Sequence, residues 1–309
     1  MTCLTCLGGI AFVLGVCAGP LLSRMGWCGQ IPRVAVLAWL GALAGALAAV
    51  VGIVVVVSAG RHGVMHLAAK WLENCPHFGD GVGGPTFYVL NALVLGGTVA
   101  AVGVVVARYR RTVTRRRRHQ EALQFVVQVS GELDDVCVLD HPVPVVYCIP
   151  ARRRPIVVSS GALERLEHAQ LQAVLAHERA HLRHRHHLVL ATLDALAAAL
   201  FWLPTFHRAR QSLPLLLEMA ADDIAARSWS RDAVATALRK LAISPSPAGG
   251  LAAGSSDASQ LSQRLSRLET PAIMDESHLQ RLTWAAATTS VIVPLLTSAT
   301  WITATHLIC

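Results

Sequence analysis

The segment VLAHERAH, residues 174–181, decides what kind of domain lies at the centre of this chain. An α-helix advances 3.6 residues per turn, so His177 and His181 lie one turn apart on the same face of a predicted helix. Two imidazoles at that spacing can bind one metal ion, and Glu178 stands beside them as a carboxylate that can accept a proton. The segment therefore predicts a metal site on a helix.

A metal site of this kind needs a third protein ligand, and two parts of the chain offer one. Glu218 in the segment EMAAD is the favoured candidate, with Asp222 one helical turn later as the group that would orient a ligand histidine. The alternative is the histidine cluster that contains His184 and His187. On a continuous helix His187 would lie about 15 Å along the axis from His177, too far to reach the same ion.

The predicted cofactor is one zinc ion per chain, bound by three ligands: His177, His181 and Glu218. Zinc raises the acidity of water, and Glu178 is the predicted catalytic base that takes the proton. Asp222 is predicted to hold a ligand histidine by a hydrogen bond. The group that stabilises the transition state is open, with Arg227 and His207 as the two candidates.

The composition places this site in a membrane protein. Hydrophobic residues make up 53% of the 309 residues and charged residues only 15%, whereas soluble proteins carry about 25% charged residues. Crossing a bilayer takes about 20 apolar residues. Four segments of that length contain no Lys, Arg, Asp or Glu, and each is predicted to span the membrane: 4–22, 34–58, 87–107 and 284–304.

An arginine-rich run at 108–119, RYRRTVTRRRRH, follows the third predicted span and sets the predicted orientation. Lys and Arg accumulate on the cytoplasmic side of spans, so residues 108–283 are predicted to be cytoplasmic and both termini outside. The expected location is the plasma membrane, with the lipid bilayer as a partner. Nucleic-acid binding is the alternative for such a run, but its position against a span disfavours it.

The chain divides into three predicted regions. These are a membrane region with three spans (1–107), a cytoplasmic domain with a flexible linker at 244–260 (108–283), and a fourth span with a short tail (284–309). Within the cytoplasmic domain, strands are predicted at 136–140, 143–149 and 155–160, and helices at 120–133, 161–170, 171–187, 215–229 and 261–282. The apolar segment 188–204 is predicted to continue the helix that carries the histidines, buried or grazing the membrane. The alternative is a dip into the membrane that returns to the same face, which would put the zinc near the bilayer surface.

The segments PIVVSSGALERLEHAQLQAVLAHERAHLRHRHH (155–187) and EMAADDIAA (218–226) resemble the BlaR/MecR-type membrane zinc metallopeptidases, within the gluzincin group. The resemblance implies an α+β zincin-like metalloprotease domain inserted into an α-helical membrane protein with four transmembrane helices. It also implies zinc ligation by His177, His181 and Glu218, catalysis by Glu178, and cleavage of a cytoplasmic transcriptional repressor. Sensor proteins of that family carry a penicillin-binding domain after the fourth span. Only a short tail follows that span here, so we expect no β-lactam sensing.

Two classes of function follow from these patterns. The first is an integral membrane zinc endopeptidase that cleaves a cytoplasmic or juxtamembrane protein. The alternative is a non-proteolytic zinc-binding signalling or scaffold protein of the membrane. A transporter is disfavoured because the four predicted spans contain no ionisable residue that could form an ion path.

Overall fold

A computed structural model describes residues 2–25, 27–59, 85–124, 135–148, 156–242, 258–270 and 276–307. Its N-terminal helices are α1 (Thr2–Phe12), a π-helical turn (Val13–Cys17), α2 (Ala18–Arg24), α3 (Trp27–Gln30), α4 (Pro32–Ala59) and α5 (Pro85–Gln124). The strands are β1 (Val136–Leu139), β2 (Val146–Cys148) and β3 (Ile156–Ser159). The later helices are α6 (Ser160–Arg165), α7 (His168–Arg183), α8 (His186–Ala199), α9 (Pro204–Ser228), α10 (Arg231–Ala242), α11 (Ala258–Glu269) and α12 (Glu276–Leu307).

Three stretches of the described chain are long and apolar enough to cross a membrane: Thr5–Arg24, Pro32–Val56 and Ala92–Arg115. They correspond to the first three predicted spans, and they make this a membrane-associated protein. The predicted fourth span lies in α12. The apolar stretch recognised there, Thr283–Thr297, is shorter, so the fourth span stays a prediction.

Helices α4 and α12 pack closely at two glycines of α4. A Cβ added to Gly41 would lie 2.6 Å from the Cβ of Ala287, and one added to Gly45 would lie 2.6 Å from the carbonyl oxygen of Ser290. The hydroxyl of Ser290 also donates to the carbonyl of Gly41 at 2.9 Å. The missing side chains therefore let the two helices come into backbone contact.

The histidine-bearing helix is shorter than predicted. A continuous helix over 171–187, extended by 188–204, is wrong, because α7 ends at Arg183 and a separate helix α8 begins at His186. Arg185 between them has a φ of 51°, in the left-handed region that ends a helix. The chain therefore changes direction just after the histidines.

Helix α9 begins with Pro204, where the missing N–H costs no helical hydrogen bond. The predicted start of this helix at residue 215 is wrong by more than two turns, because Pro214 lies inside α9 rather than before it. Helices α8 and α9 thus form a hairpin joined by a short turn.

The α8–α9 hairpin shares one hydrophobic core with α4. Buried side chains from the three helices meet there: Ala35, Trp39, Leu43 and Ala46 of α4, Leu193 and Ala197 of α8, and Phe206, Ala209, Leu213 and Leu216 of α9, with Leu200 and Leu203 from the turn. The first apolar stretch joins this packing, since the amide of Gly19 donates to the Thr205 hydroxyl at 3.0 Å. The hairpin is therefore built into the membrane region of the molecule.

The three strands form one sheet in the order β1-β3-β2. β1 runs parallel to β3, and β2 runs antiparallel to it. All three lie within their predicted ranges. The Ser159 hydroxyl caps α6 by accepting from the amide of Ala162 at 3.1 Å. A second core, which includes Ile156, Val158 and Leu175, joins this sheet to α7.

Two predicted elements between α10 and α12 need correction, and a third is described only in part. The helix predicted at 261–282 is interrupted, since α11 ends at Glu269 and α12 begins at Glu276. The predicted linker at 244–260 ends earlier, because α11 begins at Ala258; its residues 244–257 lie outside the described part of the chain. Of the helix predicted at 120–133, residues 120–124 form the end of α5, and the rest lie outside the described residues.

Candidate metal centre

Helix α7 holds the two histidines because its opposite face is fixed against the sheet. The amide of Glu167 donates to the Gln170 side chain at 3.2 Å, which closes the first turn of the helix. Leu175 is fully buried among the strand residues. His177 and His181 are buried as well, on the face turned toward α9.

Helix α9 brings Glu218 to these histidines. Among the described residues, one group has the geometry to hold a metal ion, namely His177, His181 and Glu218, with donor atoms all within 4.8 Å of one another. The two Nε2 atoms are 3.1 Å apart. The Glu218 oxygens lie 3.3 Å from His177 Nε2 and 3.4 Å from His181 Nε2. The structure therefore brings the three predicted ligands to a single point.

The donor set suits zinc. Two imidazole nitrogens and one carboxylate oxygen form the ligand set of catalytic zinc sites, which leave a fourth position open. Both Nε2 atoms face the common point, while both Nδ1 atoms make hydrogen bonds away from it. The rejected alternatives, His184 and His187, do not belong to this group.

Asp222 lies beside His177, where its position one turn after Glu218 predicts it. Its carboxylate accepts from His177 Nδ1 at 3.0 Å, and its side chain is 1% exposed. Burial alone would raise the pKa of Asp222, but the nearby Arg264 and His177 outweigh burial and lower this pKa to about 2. Burial would likewise lower the pKa of His177, but hydrogen bonds to Asp222 and Glu218 raise it to about 10.

His186 makes the corresponding contact with His181, which the sequence did not reveal. Its Nδ1 lies 2.9 Å from the Nδ1 of His181. Burial, assisted by the neighbouring His181 and His184, lowers the pKa of His186 to about 3, so its ring is neutral and can accept a hydrogen bond. His181 then donates from Nδ1 and leaves Nε2 free to bind a metal. The left-handed turn at Arg185, which no glycine marks, places His186 there.

Arg264 of α11 contributes a positively charged side chain to this site, and no sequence motif predicted it. Its guanidinium bonds to both Asp222 oxygens, at 2.8 and 2.7 Å, and lies 3.1 Å from Glu218. Burial would raise the pKa of Glu218, but Arg264 and the two ligand histidines hold it well below its usual range. The predicted candidates lie elsewhere on α9: along the helix axis, Arg227 is about 14 Å and His207 about 16 Å from Glu218.

Glu178 lies between the histidines and the sheet. Its side chain is buried and hydrogen-bonds with the thiol of Cys148 at the end of β2. Burial, and then the negative charge of Glu178, raise the pKa of Cys148, so the thiol keeps its proton and can donate it in this hydrogen bond. β2 lies at an edge of the sheet that the described residues form, whereas β3 is its central strand. β2 therefore has one side with which no described strand pairs.

A buried His-His-Glu group with an adjoining glutamate defines a metallopeptidase centre. The family model for Peptidase family M48 matches residues 112–278, more than half of the chain and all of this site, so the protein belongs to peptidase family M48. It is therefore a metallopeptidase, and peptidases of this family are typically zinc-dependent. No curated protein and no solved structure matched the chain.

Proposed function

We propose that this protein is a membrane-anchored zinc endopeptidase that cleaves protein chains on the aqueous side of the membrane. The observation that carries the proposal is the convergence of His177, His181 and Glu218 on one point beside the buried carboxylate of Glu178. Each ligand histidine is also held by its own hydrogen-bond partner. Such preorganisation is what a catalytic metal requires.

The chain supplies a role for each group around the reacting bond. When bound, a zinc ion would polarise the substrate carbonyl and raise the acidity of water. Glu178 accepts the proton of the attacking water and returns it to the leaving amine. The thiol of Cys148 orients the Glu178 carboxylate by its hydrogen bond. The edge of β2 with which no described strand pairs binds the substrate backbone as an added strand next to Glu178.

The position of Glu218 along α9 favours cleavage outside the bilayer rather than within it. Arg210 of α9 forms an ion pair with Asp194 of α8 at 2.7 Å, and charged groups of a hairpin among spans belong at the membrane surface. Glu218 follows Arg210 by eight residues, which is about 12 Å of helix on the aqueous side. A membrane-anchored substrate would therefore be cut about four extended residues from the surface.

The cytoplasm is the proposed side for this chemistry. The loop between the first two spans contacts the peptidase helices, since Arg208 donates to the Ser23 hydroxyl at 3.4 Å and Arg267 to the Gln30 carbonyl at 3.3 Å. This loop and the 108–119 run are both rich in arginine, the mark of a cytoplasmic surface. The resemblance to BlaR/MecR-type peptidases favours a transcriptional repressor as the substrate.

The decisive experiment compares zinc content and cleavage in the full-length protein in lipid nanodiscs. We expect Glu178→Gln to keep one zinc per chain and to lose at least about 100-fold in cleavage of a peptide library read by mass spectrometry. Glu164→Gln, which changes an exposed glutamate, is the control and should leave both readouts unchanged. Two results would overturn the proposal in favour of non-proteolytic zinc binding. In both, the wild type and the two variants all contain zinc, and either all three cleave the library equally or none of them cleaves it.

A further inference from the structure

The turn of the α8–α9 hairpin carries an exposed aromatic pair. Phe201 is 79% exposed and Trp202 is 55% exposed, although both lie next to the buried residues Leu200 and Leu203. Two adjacent aromatic side chains of this size rarely face water in a folded protein. Their exposure raises the question of which medium surrounds the tip.

The base of the hairpin lies on one side of the membrane. α8 begins at His186, which contacts the ligand His181, and α9 contains the ligand Glu218. Both arms therefore start and finish at the metal centre. The chain enters and returns on the same side, and α8, with 14 residues, is too short to span a bilayer, which takes about 20.

The buried face of the hairpin packs directly on helices with the length and composition of spans. Phe206 and Leu193 share a core with Trp39 of α4. A Cβ added to Gly15 would lie 2.7 Å from a Leu203 methyl group, and one added to Gly19 would lie 2.8 Å from the Cα of Thr205. The tip is thus at the level of apolar segments that the bilayer surrounds.

Two distances along helices give the depth of the tip. The ion pair of Asp194 and Arg210 joins the two arms, five residues before the end of α8 and six after the start of α9. These offsets correspond to about 8–9 Å, or to about 6 Å when measured from Arg208, which contacts Ser23 at the end of the first span. Independently, Gly15 beside Leu203 lies nine residues before Arg24, the charged end of the first span, which is about 14 Å.

Both depths are below about 15 Å, half the thickness of the hydrocarbon core. We infer that the α8–α9 hairpin is a re-entrant element that enters one leaflet, with Phe201 and Trp202 in contact with lipid acyl chains. The Asp194–Arg210 pair then lies at the headgroup level, where charge is tolerated. This inference depends on packing against the spans and not on metal chemistry, so it is independent of the proposed peptidase activity.

Lipid-borne fluorescence quenching tests the inference directly. The full-length protein is reconstituted into sealed vesicles made either of ordinary phosphatidylcholine or of phosphatidylcholine brominated at mid-chain. The emission of one tryptophan is obtained by subtracting the spectrum of a Trp→Phe variant from that of the wild type. Trp202→Phe isolates the tip, and Trp229→Phe isolates the C-terminal end of α9, where Trp229 is 44% exposed. Aqueous iodide is the second quencher.

We expect Trp202 to lose most of its emission in brominated lipid and to be insensitive to iodide. Trp229 should respond in the opposite way, because it lies on the aqueous side of the metal centre. Quenching of Trp202 by iodide with no effect of brominated lipid would overturn the inference. Equal results with and without a zinc chelator are expected, and they keep this test separate from the test of peptidase activity.

Discussion

Arg264 donates two hydrogen bonds to the carboxylate of Asp222, from Nε to Oδ2 at 2.8 Å and from Nη2 to Oδ1 at 2.7 Å. The two residues are 42 positions apart in the sequence. The same guanidinium lies 3.1 Å from the ligand Glu218. Helix α11 thus places a positive charge beside the buried carboxylate of Asp222 and the partly buried carboxylate of Glu218 before any metal binds. A bound cation would take over part of this neutralisation, so the two effects are coupled.

Removing Arg264 should therefore destabilise the metal-free protein most. We expect Arg264→Ala to lower its stability by about 3 kcal/mol or more, because the buried Asp222 and the partly buried Glu218 lose their guanidinium partner. Zinc should restore part of this loss, so the rise in melting temperature on adding zinc should be larger than in the wild type. The measurement is thermal unfolding in nanodiscs with and without chelator.

Arg267→Ala is the matched control for Arg264. Arg267 lies one turn further on α11 and bonds to Asp223 at 2.6 Å, on the side away from the ligands. The Arg267→Ala substitution should lower stability without enlarging the rise in melting temperature that zinc produces. An equal zinc-dependent rise in both variants would show that Arg264 has no electrostatic link to the metal site.

Substitutions of the predicted ligand Glu218 and of its neighbour Asp222 should have different effects on zinc binding. We expect Glu218→Ala to lose stoichiometric zinc, whereas Asp222→Ala should still take up one zinc with an affinity about 10–100-fold lower. Asp223→Ala, a carboxylate one residue on that bonds to Arg267, should keep the wild-type affinity. Competition with a chromophoric chelator measures all three. One tightly bound zinc in Glu218→Ala would mean that the third ligand is another residue.

His186 should affect zinc affinity although it is not a ligand. His186→Ala removes the acceptor for the Nδ1 hydrogen of His181, and we expect zinc affinity to fall by about 10-fold. His168→Ala, which removes an exposed imidazole about 14 Å along α7 from His177, should leave the affinity unchanged. The same chelator competition applies, and a larger effect of His168→Ala would contradict the assignment.

Local periodicity explains why part of the site could be predicted from the sequence. His177, Glu178 and His181 lie within one helical turn, and Asp222 follows Glu218 by one turn, so spacing alone places each pair. The positions of Arg264 and His186 at the site have causes other than local periodicity. Arg264 reaches the site through tertiary packing of a helix that carries no motif, and His186 reaches it because Arg185 adopts a left-handed conformation without a glycine to signal it.

The same distinction holds for the fold. The apolar segments and the three strands carry strong local patterns, and the structure has helices and strands at these places. The sequence predicts one continuous helix here instead of a hairpin, because residues 171–204 are helical by pattern throughout. Its reversal depends on the core shared by Phe206 and Trp39, a contact between distant segments that a pattern along the chain does not encode.

The ion pair between Asp135 and Arg179 links the metal-binding helix to the sheet and should give a pH-dependent stability. Arg179 donates to both Asp135 oxygens, at 2.7 and 2.9 Å. The hydrogen bond from Arg179 holds the pKa of Asp135 below its usual 3.8, against the effect of burial. Because the folded-state pKa is the lower one, the contribution is complete above the unfolded-state value of about 3.8 and is lost as the pH falls from there through the folded-state pKa.

We therefore expect Asp135→Asn to lower the melting temperature of the chelator-treated protein at pH 7, with the difference from wild type shrinking as the pH drops below about 4. Measuring without metal avoids the separate effect of acid on zinc binding. In an Arg179→Gln background the same substitution should change little at any pH. A constant difference from pH 7 down to pH 3 would contradict this ion pair as the cause.

Alanine substitutions at two glycines of the membrane region should change the stability of the protein in opposite directions. A Cβ at Gly41 would lie 2.6 Å from the Ala287 side chain and 2.7 Å from its backbone, so Gly41→Ala must push α12 away from α4. At Gly103 of α5 nothing lies within 4 Å of a new Cβ, so Gly103→Ala should stabilise its helix by about 0.5–1 kcal/mol. Thermal unfolding of both variants in nanodiscs measures the two signs. A stabilising Gly41→Ala would show that α4 and α12 do not pack closely at this point.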